Sequence, residues 1–147
     1  MRNASSQDLT VRFGKGPWTG RAGEQGVLFE MRRGTIFVAR RRNTLIAALT
    51  LSTRKPWAID RKYFTASERP LYLTGMLVDP SRQGAGIGRL CIEEAQRMAA
   101  AWPADAIRLD AWDAEAGAGE FYRKCGFREV GRATCRTAPL IYFEMLL

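Results

Sequence analysis

Three stretches in the first half of the chain have the residue pattern of β-strands. Residues 35–40 and 44–52 are rich in β-branched and other apolar side chains, and a short basic turn separates them, which predicts a β-hairpin. Residues 71–78 are mostly apolar. We expect this third strand to lie in the centre of a sheet, because only a strand covered on both faces is apolar at nearly every position.

A helical pattern follows the third strand. Apolar residues recur every three or four positions from Ile87 to Trp102, and the polar residues between them face elsewhere. Pro103 ends the pattern, because proline lacks the backbone donor that a helix interior needs. The segment therefore predicts an amphipathic helix of about four turns.

The last third of the chain predicts one strand, one short helix and a closing hairpin. These elements are a strand at 107–112, a helix at 119–125 with Gly126 as its left-handed cap, and strands at 127–135 and 140–147 around a turn at 137–139.

The N-terminal segment and the long middle loop have weaker patterns. Residues 9–13 suggest a short strand, and residues 22–33 suggest a helix. The connection at 55–70 contains aromatic residues between two prolines, so we expect a loop that packs onto the rest of the protein. The order β-β-β-α-β-α-β-β predicts a mixed-sheet α+β or α/β fold. The length of 147 residues and 46% hydrophobic content predict a single domain, 1–147.

The chain has a formal net charge of +8, which favours an anionic partner. Nucleic acid, an anionic membrane and a phosphorylated small molecule all fit this charge. The basic cluster at 40–42 reads as a solvated hairpin turn rather than a nucleic-acid patch. The same charge argues mildly against a polycationic substrate, because like charges repel.

The absence of histidine excludes several kinds of active site. Without histidine there is no Ser-His-Asp triad, and most zinc sites are ruled out, so we expect no metal. The three cysteines form no Cys-x-x-Cys pair and no even disulfide set, so we expect reduced thiols. No apolar run is long enough to span a bilayer, and the first residues lack the apolar core of a secretory signal. These features predict a soluble, cytoplasmic protein with no membrane partner.

Three alternating glycines stand where the third strand gives way to the amphipathic helix. Gly84, Gly86 and Gly88 leave backbone N–H groups free to turn toward one point, and the helix N-terminus adds its unpaired donors and positive dipole end. The loop therefore predicts a phosphate site. It is not a dinucleotide fingerprint, which needs glycine where Arg89 stands, and it lacks the Gly-Lys-Ser/Thr ending of a P-loop.

The pattern Gln83-x-x-Gly86-x-Gly88, between "LTGMLVDP" and an amphipathic helix, resembles the acetyl-coenzyme A motif of the GCN5-related N-acetyltransferase (GNAT) superfamily. The resemblance continues through "LDAWDAEAGAGEFYRKCGFREVGR" and covers about residues 35–147. One departure is that many relatives carry asparagine shortly before the Phe-Tyr pair, where this chain has Glu115 nearby. The resemblance implies an α+β, three-layer fold with a mixed, mostly antiparallel central sheet flanked by helices.

The resemblance also implies a chemistry, acetyl transfer from acetyl-CoA to an amine by direct attack in a ternary complex. In such a site a free main-chain amide near Leu77 or Val78, where the central strand separates from its neighbour, polarises the thioester carbonyl. Tyr122 occupies the family position for the acid that protonates the departing thiolate. The implied coenzyme-binding residues are Leu77, Val78, Arg82, Gln83, Gly84, Ala85, Gly86, Ile87, Gly88, Arg89 and Tyr122.

The sequence leaves the acceptor half of the site open. Several relatives place a glutamate on the central strand as a base, and this chain has none there. Candidate proton relays and acceptors are Tyr72, Thr74 or a water, and Asp60, Glu68, Asp113 or Glu115. We expect the N-terminal segment, the loop at 55–69 and the final hairpin to frame the acceptor. The aromatic residues there fit a pocket and a core equally well: Trp18, Trp57, Tyr63, Phe64 and Tyr142.

Three functions are compatible with the sequence. The first is an N-acetyltransferase acting on a primary amine of a small molecule. The second acetylates a macromolecular amine, on a protein or an aminoacyl-tRNA, where the basic charge would help bind phosphates. The third is a non-catalytic acyl-CoA-binding module. A homodimer through an exposed edge strand or the final hairpin is also open.

Overall fold

The computed structural model describes residues 1–20 and 23–147 of the chain. In this part of the chain a six-stranded sheet is accompanied by four α-helices. The strands are β1 (Thr35–Arg41), β2 (Thr44–Ser52), β3 (Pro70–Val78), β4 (Ala106–Trp112), β5 (Arg128–Cys135) and β6 (Ala138–Leu146). The helices are α1 (Arg2–Phe13), α2 (Glu24–Met31), α3 (Ile87–Ala101) and α4 (Gly119–Lys124).

The strand order is β1-β2-β3-β4-β6-β5. Only β3 and β4 pair in parallel, and the other neighbours are antiparallel. A parallel pair needs a crossover connection, and α3 supplies it between β3 and β4. The prediction of a mixed, mostly antiparallel sheet flanked by helices is therefore confirmed, and so is the interior position of the third strand.

Alternation along the strands divides the buried side chains into two clusters on opposite faces of the sheet. On one face, apolar residues of β2, β3, β4 and β6 pack beneath α3 and α4, with Ile92 and Tyr122 among the helix residues. On the other face, a smaller cluster joins Ile59, Tyr72, Leu140 and Tyr142. The sheet is thus the middle layer of three.

Helices α1 and α2 approach the sheet on the face opposite α3. A Cβ added at Gly75 of β3 would lie 3.1 Å from the Arg2 guanidinium and 3.6 Å from the Glu30 carboxylate. The same Cβ would lie 3.6 Å from the hydroxyl of Thr50, which alternates with the core residues of β2. Arg2 and Glu30 form an ion pair between α1 and α2.

The expected strand at residues 9–13 is wrong, because these residues form the end of α1. Leu9, Val11 and Phe13 alternate as in a strand, but Val11 is 80% exposed, whereas Ser5, four residues before Leu9, is buried. The hydroxyl of Thr10 donates to the carbonyl of Ser6, as it does in a helix. The helix expected at 22–33 is observed at Glu24–Met31, and Ala22 lies outside the described residues.

The final hairpin turns earlier than expected. Cys135 ends β5 and Ala138 begins β6, so the turn consists of Arg136 and Thr137, with Arg136 in the left-handed region at φ 56°. Ala138 and Pro139 belong to the strand. A two-residue connection is the commonest kind in β-hairpins.

The loop between β2 and β3 packs onto the second face of the sheet, as expected. Tyr63 and Phe64 stack on Tyr142, at ring-centroid distances of 5.3 and 5.5 Å. Two buried charges hold the loop backbone at Thr65, whose carbonyl accepts from Arg108 and whose N–H donates to Glu144. None of the described helices combines the length and hydropathy that a membrane span needs.

Candidate active site

The two central strands pair over only a short length and then separate. Pro70, Leu71 and Tyr72 of β3 are in register with Ala106, Ile107 and Arg108 of β4, and the described pairing ends there. Beyond this point β3 remains paired with β2, and β4 remains paired with β6. A cavity of about 900 Å³ opens between the diverging strands. Its volume is in the range of small-molecule sites.

The glycine loop forms one end of this cavity. Asp79 anchors the loop, because its N–H donates to the Ile46 carbonyl at 2.9 Å and its carboxylate accepts from the Ser81 N–H at 2.9 Å. Gly84 and Gly86 have φ values of 79° and 78°, which side chains disfavour. A Cβ at either position would meet nothing within 4 Å, so their surroundings are open.

Gly88 has a different role from the other two glycines. It lies in the first turn of α3, and a Cβ there would be 3.1 Å from the ring of Phe121. The residue therefore allows α3 and α4 to approach closely. The sequence pattern assigned all three glycines to backbone exposure, and the structure adds helix packing as a second role for Gly88.

The N-terminus of α3 presents unpaired donors to the cavity. Gly86 is the N-cap and provides no side-chain hydrogen bond to the helix. The N–H groups of Ile87, Gly88 and Arg89 belong to the first turn and lack intrahelical acceptors. Combined with the helix dipole, these groups fit an anion such as a phosphate. Arg82 and Arg89 also line the cavity.

Ten of the eleven sequence-predicted coenzyme residues line this one cavity. They are Leu77, Val78, Arg82, Gln83, Gly84, Gly86, Ile87, Gly88, Arg89 and Tyr122. Ala85 is not among the lining residues, so its predicted contact has no support from the cavity.

Val78 is the better of the two predicted amide donors. The N–H of Asp79 points to β2, where it donates to Ile46. Successive N–H groups of a strand point to opposite edges, so the N–H of Leu77 faces β2 and that of Val78 faces the opening. Val78 thus has a main-chain donor on the side where β4 has moved away.

Tyr122 lies on α4 with its ring in the core and its hydroxyl at the cavity. The ring packs against Phe121, Phe127 and Phe143 at centroid distances of 5.3 to 5.9 Å. In the described chain the hydroxyl has one weak contact, 4.0 Å from the Met76 sulfur. Burial raises the pKa of Tyr122 far above its ordinary value of 10.0, with smaller contributions from Asp110 and Cys125. Tyr122 is therefore a neutral phenol at neutral pH and has a proton to give.

The far end of the cavity is formed by α1 and the segment after it. Arg2, Ser5, Arg12 and Phe13 line it from the helix. Trp18 also lines it and packs on Trp112 of β4, with the ring centroids 5.2 Å apart. Two hydrogen bonds hold Trp18 in place. Its indole N–H donates to the Gly14 carbonyl at 3.1 Å, and the Ser6 hydroxyl donates to the Trp18 carbonyl at 2.6 Å. The N-terminal segment thus frames the site, as expected.

The other aromatic residues considered for the acceptor pocket lie elsewhere. Tyr63, Phe64 and Tyr142 belong to the second core cluster, and the hydroxyl of Tyr142 donates to the Ala58 carbonyl at 2.6 Å. Trp57 is 67% exposed, with the Arg136 guanidinium over its ring. Tyr63, Phe64 and Tyr142 therefore belong to the core, Trp57 belongs to neither the core nor the pocket, and only Trp18 of the predicted set lines the cavity.

Most of the predicted proton acceptors are also absent from the cavity lining. Asp60 pairs with Lys62, Asp113 pairs with Arg132, and Glu68 is an exposed loop residue. Tyr72 and Thr74 are absent from the cavity lining. Glu115 does line the cavity.

Asp110 of β4 also lines the cavity, and the sequence analysis missed it. Burial raises the pKa of its carboxyl above the ordinary value. Strand alternation was the available signal, because Ile107, Leu109 and Ala111 face the first core and Asp110 must face the other way. Asp110 differs from the acids singled out in the sequence because it lies on a strand, whereas they lie in loops.

The described residues offer no group of histidine, cysteine or acidic side chains that could hold a metal ion. The cysteines Cys91, Cys125 and Cys135 are free thiols, in agreement with the expectation.

The chain belongs to the acetyltransferase (GNAT) family, whose sequence model matches residues 5–127. This match confirms the resemblance found in the glycine loop and in the block around Tyr122. None of the curated proteins is a significant match to the chain.

Solved structures share the fold at low sequence identity. An IAA acetyltransferase from Bacillus cereus is 18% identical with a TM-score of 0.66, over 85% of this chain and 85% of that chain. A GNAT family acetyltransferase from Elizabethkingia anophelis with acetyl-CoA bound is 16% identical, with a TM-score of 0.64 over 85% and 84%. An aminoglycoside 6′-N-acetyltransferase complexed with coenzyme A is 15% identical, with a TM-score of 0.65 over 99% and 89%.

Proposed function

We propose that this protein transfers the acetyl group of acetyl-CoA to a primary amine of a small molecule, by direct attack in a ternary complex. One observation carries the proposal. A single cavity runs from the glycine loop, past Tyr122, to the pocket under α1. It therefore connects a phosphate site, a proton donor and a second binding region, which are the three parts that such a transfer requires.

The glycine loop and the N-terminus of α3 suit the diphosphate of acetyl-CoA. The open surroundings of Gly84 and Gly86 leave room for phosphate oxygens at the backbone. The amides of the first turn donate to those oxygens, and Arg82 and Arg89 add positive charge. Two of the similar structures contain bound acetyl-CoA or coenzyme A, which supports the same ligand here.

Val78 and Tyr122 suit the two charges that develop during transfer. As the amine attacks, negative charge builds on the carbonyl oxygen, and the Val78 N–H at the strand opening is a donor for it. As the carbon–sulfur bond breaks, the thiolate needs a proton. Tyr122 lines the cavity, and its phenol is fully protonated at neutral pH, so it has a proton for the thiolate.

The size of the cavity favours a small acceptor. Helix α1 and Trp18 line its far end, and the whole cavity of about 900 Å³ is in the range of small-molecule sites. The aminoglycoside enzyme among the similar structures also acts on a small molecule. A macromolecular acceptor has the net charge of +8 in its favour and stays the second candidate.

Two measurements on the purified protein test the proposal. Isothermal titration with acetyl-CoA should show binding, and a thiol-release assay with a panel of primary amines should show amine-dependent turnover. Binding without turnover on any amine would support the acyl-CoA-binding module instead, and absence of binding would overturn the proposal. If turnover requires a protein or aminoacyl-tRNA and falls steeply with salt, the acceptor is macromolecular.

A further inference from the structure

Asp110 occupies the point where the sheet opens. It follows Arg108 by two residues, so it lies on the same face of β4 just beyond the last β3–β4 register pair. Because β3 has diverged there, no neighbouring strand covers this side of Asp110. Its side chain lines the cavity, on the side of the sheet that α1 approaches.

The carboxyl of Asp110 has no ion-pair partner among the described residues. Arg108, two residues earlier, is fully paired with Glu144 at 3.0 Å. The two arginines of α1 that line the same cavity have other partners, because Arg2 pairs with Glu30 and Arg12 with Asp8. A partly buried carboxylate without a cation destabilises the fold, so its presence in a cavity points to a ligand that supplies the cation.

The groups that face Asp110 from the surrounding elements do not neutralise it. The hydroxyls of Tyr122 on α4 and Tyr142 on β6 are near enough for the Asp110 charge to raise their pKa values. Glu115, after β4, is a second acid in the same cavity. The arginines that line the cavity do not pair with Asp110 either. Arg2 and Arg12 of α1 form ion pairs with Glu30 and Asp8, and Arg82 and Arg89 lie at the glycine loop.

Two indole rings line the same cavity as the acid. Trp112 is two residues beyond Asp110 on β4, so its side chain lies on the same face, and Trp18 packs against it from the segment after α1. A carboxylate beside indole faces is the combination that recognises an organic ammonium, since the acid balances the charge and the rings attract both the cation and an apolar body.

We propose that Asp110 accepts the proton of the acceptor amine and that Trp18 and Trp112 bind the rest of the acceptor, a primary ammonium on an aromatic or apolar body. This inference rests on the proposed acetyl transfer and adds to it the base and the class of acceptor. The raised pKa of Asp110 makes its carboxylate a stronger base than an ordinary one, which suits removal of a proton from an amine of pKa ~10.4.

The protons balance in this scheme. The ammonium gives one proton to Asp110, and the neutral nitrogen attacks the thioester carbonyl carbon. A carbon–nitrogen bond forms, the carbon–sulfur bond breaks, and Tyr122 gives its proton to the thiolate. The second proton lost by the nitrogen restores the Tyr122 phenol, and the proton on Asp110 leaves to solvent. The net reaction converts an ammonium and a thioester into an amide, a thiol and one proton.

Asp110→Asn is the central test, because asparagine has the same shape but cannot accept the proton. We expect kcat/KM for an arylalkylamine such as phenylethylamine to fall by about 10²- to 10⁴-fold, with unchanged affinity for acetyl-CoA in calorimetry. Asp110→Glu should recover part of this loss. Asp113→Asn is the matched control, since Asp113 is close in sequence but pairs with Arg132 and is absent from the cavity lining.

Two further readouts separate a base from a residue that only maintains structure. The kcat/KM of Asp110→Asn should rise about tenfold per pH unit toward the pKa of the amine, because only the free amine then reacts. A fluorinated amine that is already neutral at the assay pH should react nearly equally with wild type and Asp110→Asn. Circular dichroism of both proteins checks that the variant is folded.

The acceptor class is tested separately. Trp18→Leu should raise KM for phenylethylamine more than KM for methylamine, which lacks the apolar body. A wild type that prefers spermidine or an aminoglycoside to phenylethylamine would overturn the acceptor class. If wild type binds acetyl-CoA and acetylates amines while Asp110→Asn is equally active, this inference fails and the proposed function stands. If wild type does not bind acetyl-CoA, the proposed function itself fails.

Discussion

Tyr72 of β3 lies opposite Arg108 of β4, and this is the last register pair between the two central strands in the described chain. Both strands continue past it, β3 to Val78 and β4 to Trp112. The divergence creates the cavity and leaves the Val78 N–H without a strand partner on that side. The unpaired edges of β3 and β4 in the middle of the sheet thus line the cavity.

Replacing Tyr122 with phenylalanine should remove the proton donor and keep the packing. We expect kcat to fall by about 10²-fold or more, because the thiolate then leaves without a proton. Affinity for acetyl-CoA should not change, since the ring contacts with Phe121, Phe127 and Phe143 remain. Thiol release under saturating substrates and calorimetry measure the two effects.

Tyr142→Phe is the control for this experiment. Tyr142 is also a buried tyrosine, but it is absent from the cavity lining, and its hydroxyl already donates to the Ala58 carbonyl at 2.6 Å. The substitution should lower stability by about 1 kcal/mol and leave kcat unchanged. Equal activity of Tyr122→Phe and wild type would refute the role of Tyr122 as an acid.

The glycines of the loop should respond differently to alanine. Gly84→Ala and Gly86→Ala force a side chain into the left-handed region, at roughly 1–2 kcal/mol each, and place a methyl group where phosphate oxygens are expected. Acetyl-CoA affinity should therefore fall. Gly88→Ala should raise stability less than an unhindered helical Gly→Ala does, because its methyl group meets the Phe121 ring at 3.1 Å and this crowding offsets the helix propensity of alanine.

Gly26→Ala provides the control in the same protein. This glycine lies in α2, a Cβ there would meet nothing within 4 Å, and its φ is not in the left-handed region. Alanine should raise stability by up to about 1 kcal/mol and leave acetyl-CoA affinity unchanged. Thermal unfolding and calorimetry on all four variants check the pattern. An unchanged affinity in both Gly84→Ala and Gly86→Ala would argue against the loop as the phosphate site.

Local patterns explain what the sequence predicted well. The apolar runs of β1 to β6, the 3.6-residue period of α3 and the glycine spacing are all set by near neighbours in the chain. Helix α1 was misread because Leu9, Val11 and Phe13 happen to alternate, and only packing decides which of them is buried. Asp110 was missed because its exposure to a cavity depends on the divergence of β3, which is a tertiary feature.

The buried pair Arg108–Glu144 should dominate the stability of the layer that holds the middle loop. The two side chains are 4% and 1% exposed, and both also bond to the backbone of Thr65. Arg108→Met would leave the Glu144 charge buried without its main partner, so we expect a loss of about 3–5 kcal/mol. Denaturant unfolding of wild type and Arg108→Met measures this loss in the free energy of unfolding.

Arg128→Met is the matched control for the buried pair. Arg128 also contacts Glu144, at 3.4 Å, but its side chain is 65% exposed. Its removal should change stability by no more than about 1 kcal/mol. Similar losses for the two variants would show that burial does not set the strength of this interaction. The double variant Arg108→Met/Glu144→Leu should recover much of the loss, because no unpaired charge remains.

Asp110 and Asp105 should affect the pH dependence of stability in opposite directions. Burial raises the pKa of Asp110, so the folded state holds a proton more tightly than the unfolded state does. Its ionised form therefore destabilises the fold at neutral pH, and this effect fades as the pH falls through the raised pKa. Asp110→Asn should be more stable than wild type at neutral pH, by a margin that shrinks on acidification.

Asp105 has the reverse behaviour. Hydrogen bonds from the Ser67 hydroxyl and from the N–H groups of Arg69 and Glu68 lower the pKa of its carboxyl. The stability it contributes is complete above its unfolded pKa and is lost as the pH falls through the lower, folded value. Asp105→Asn should therefore be less stable than wild type at neutral pH, and the two should converge in acid. Thermal melts of wild type, Asp105→Asn and Asp110→Asn between neutral and acid pH measure both effects. A loss of stability at neutral pH in Asp110→Asn would contradict an unpaired acid in the cavity.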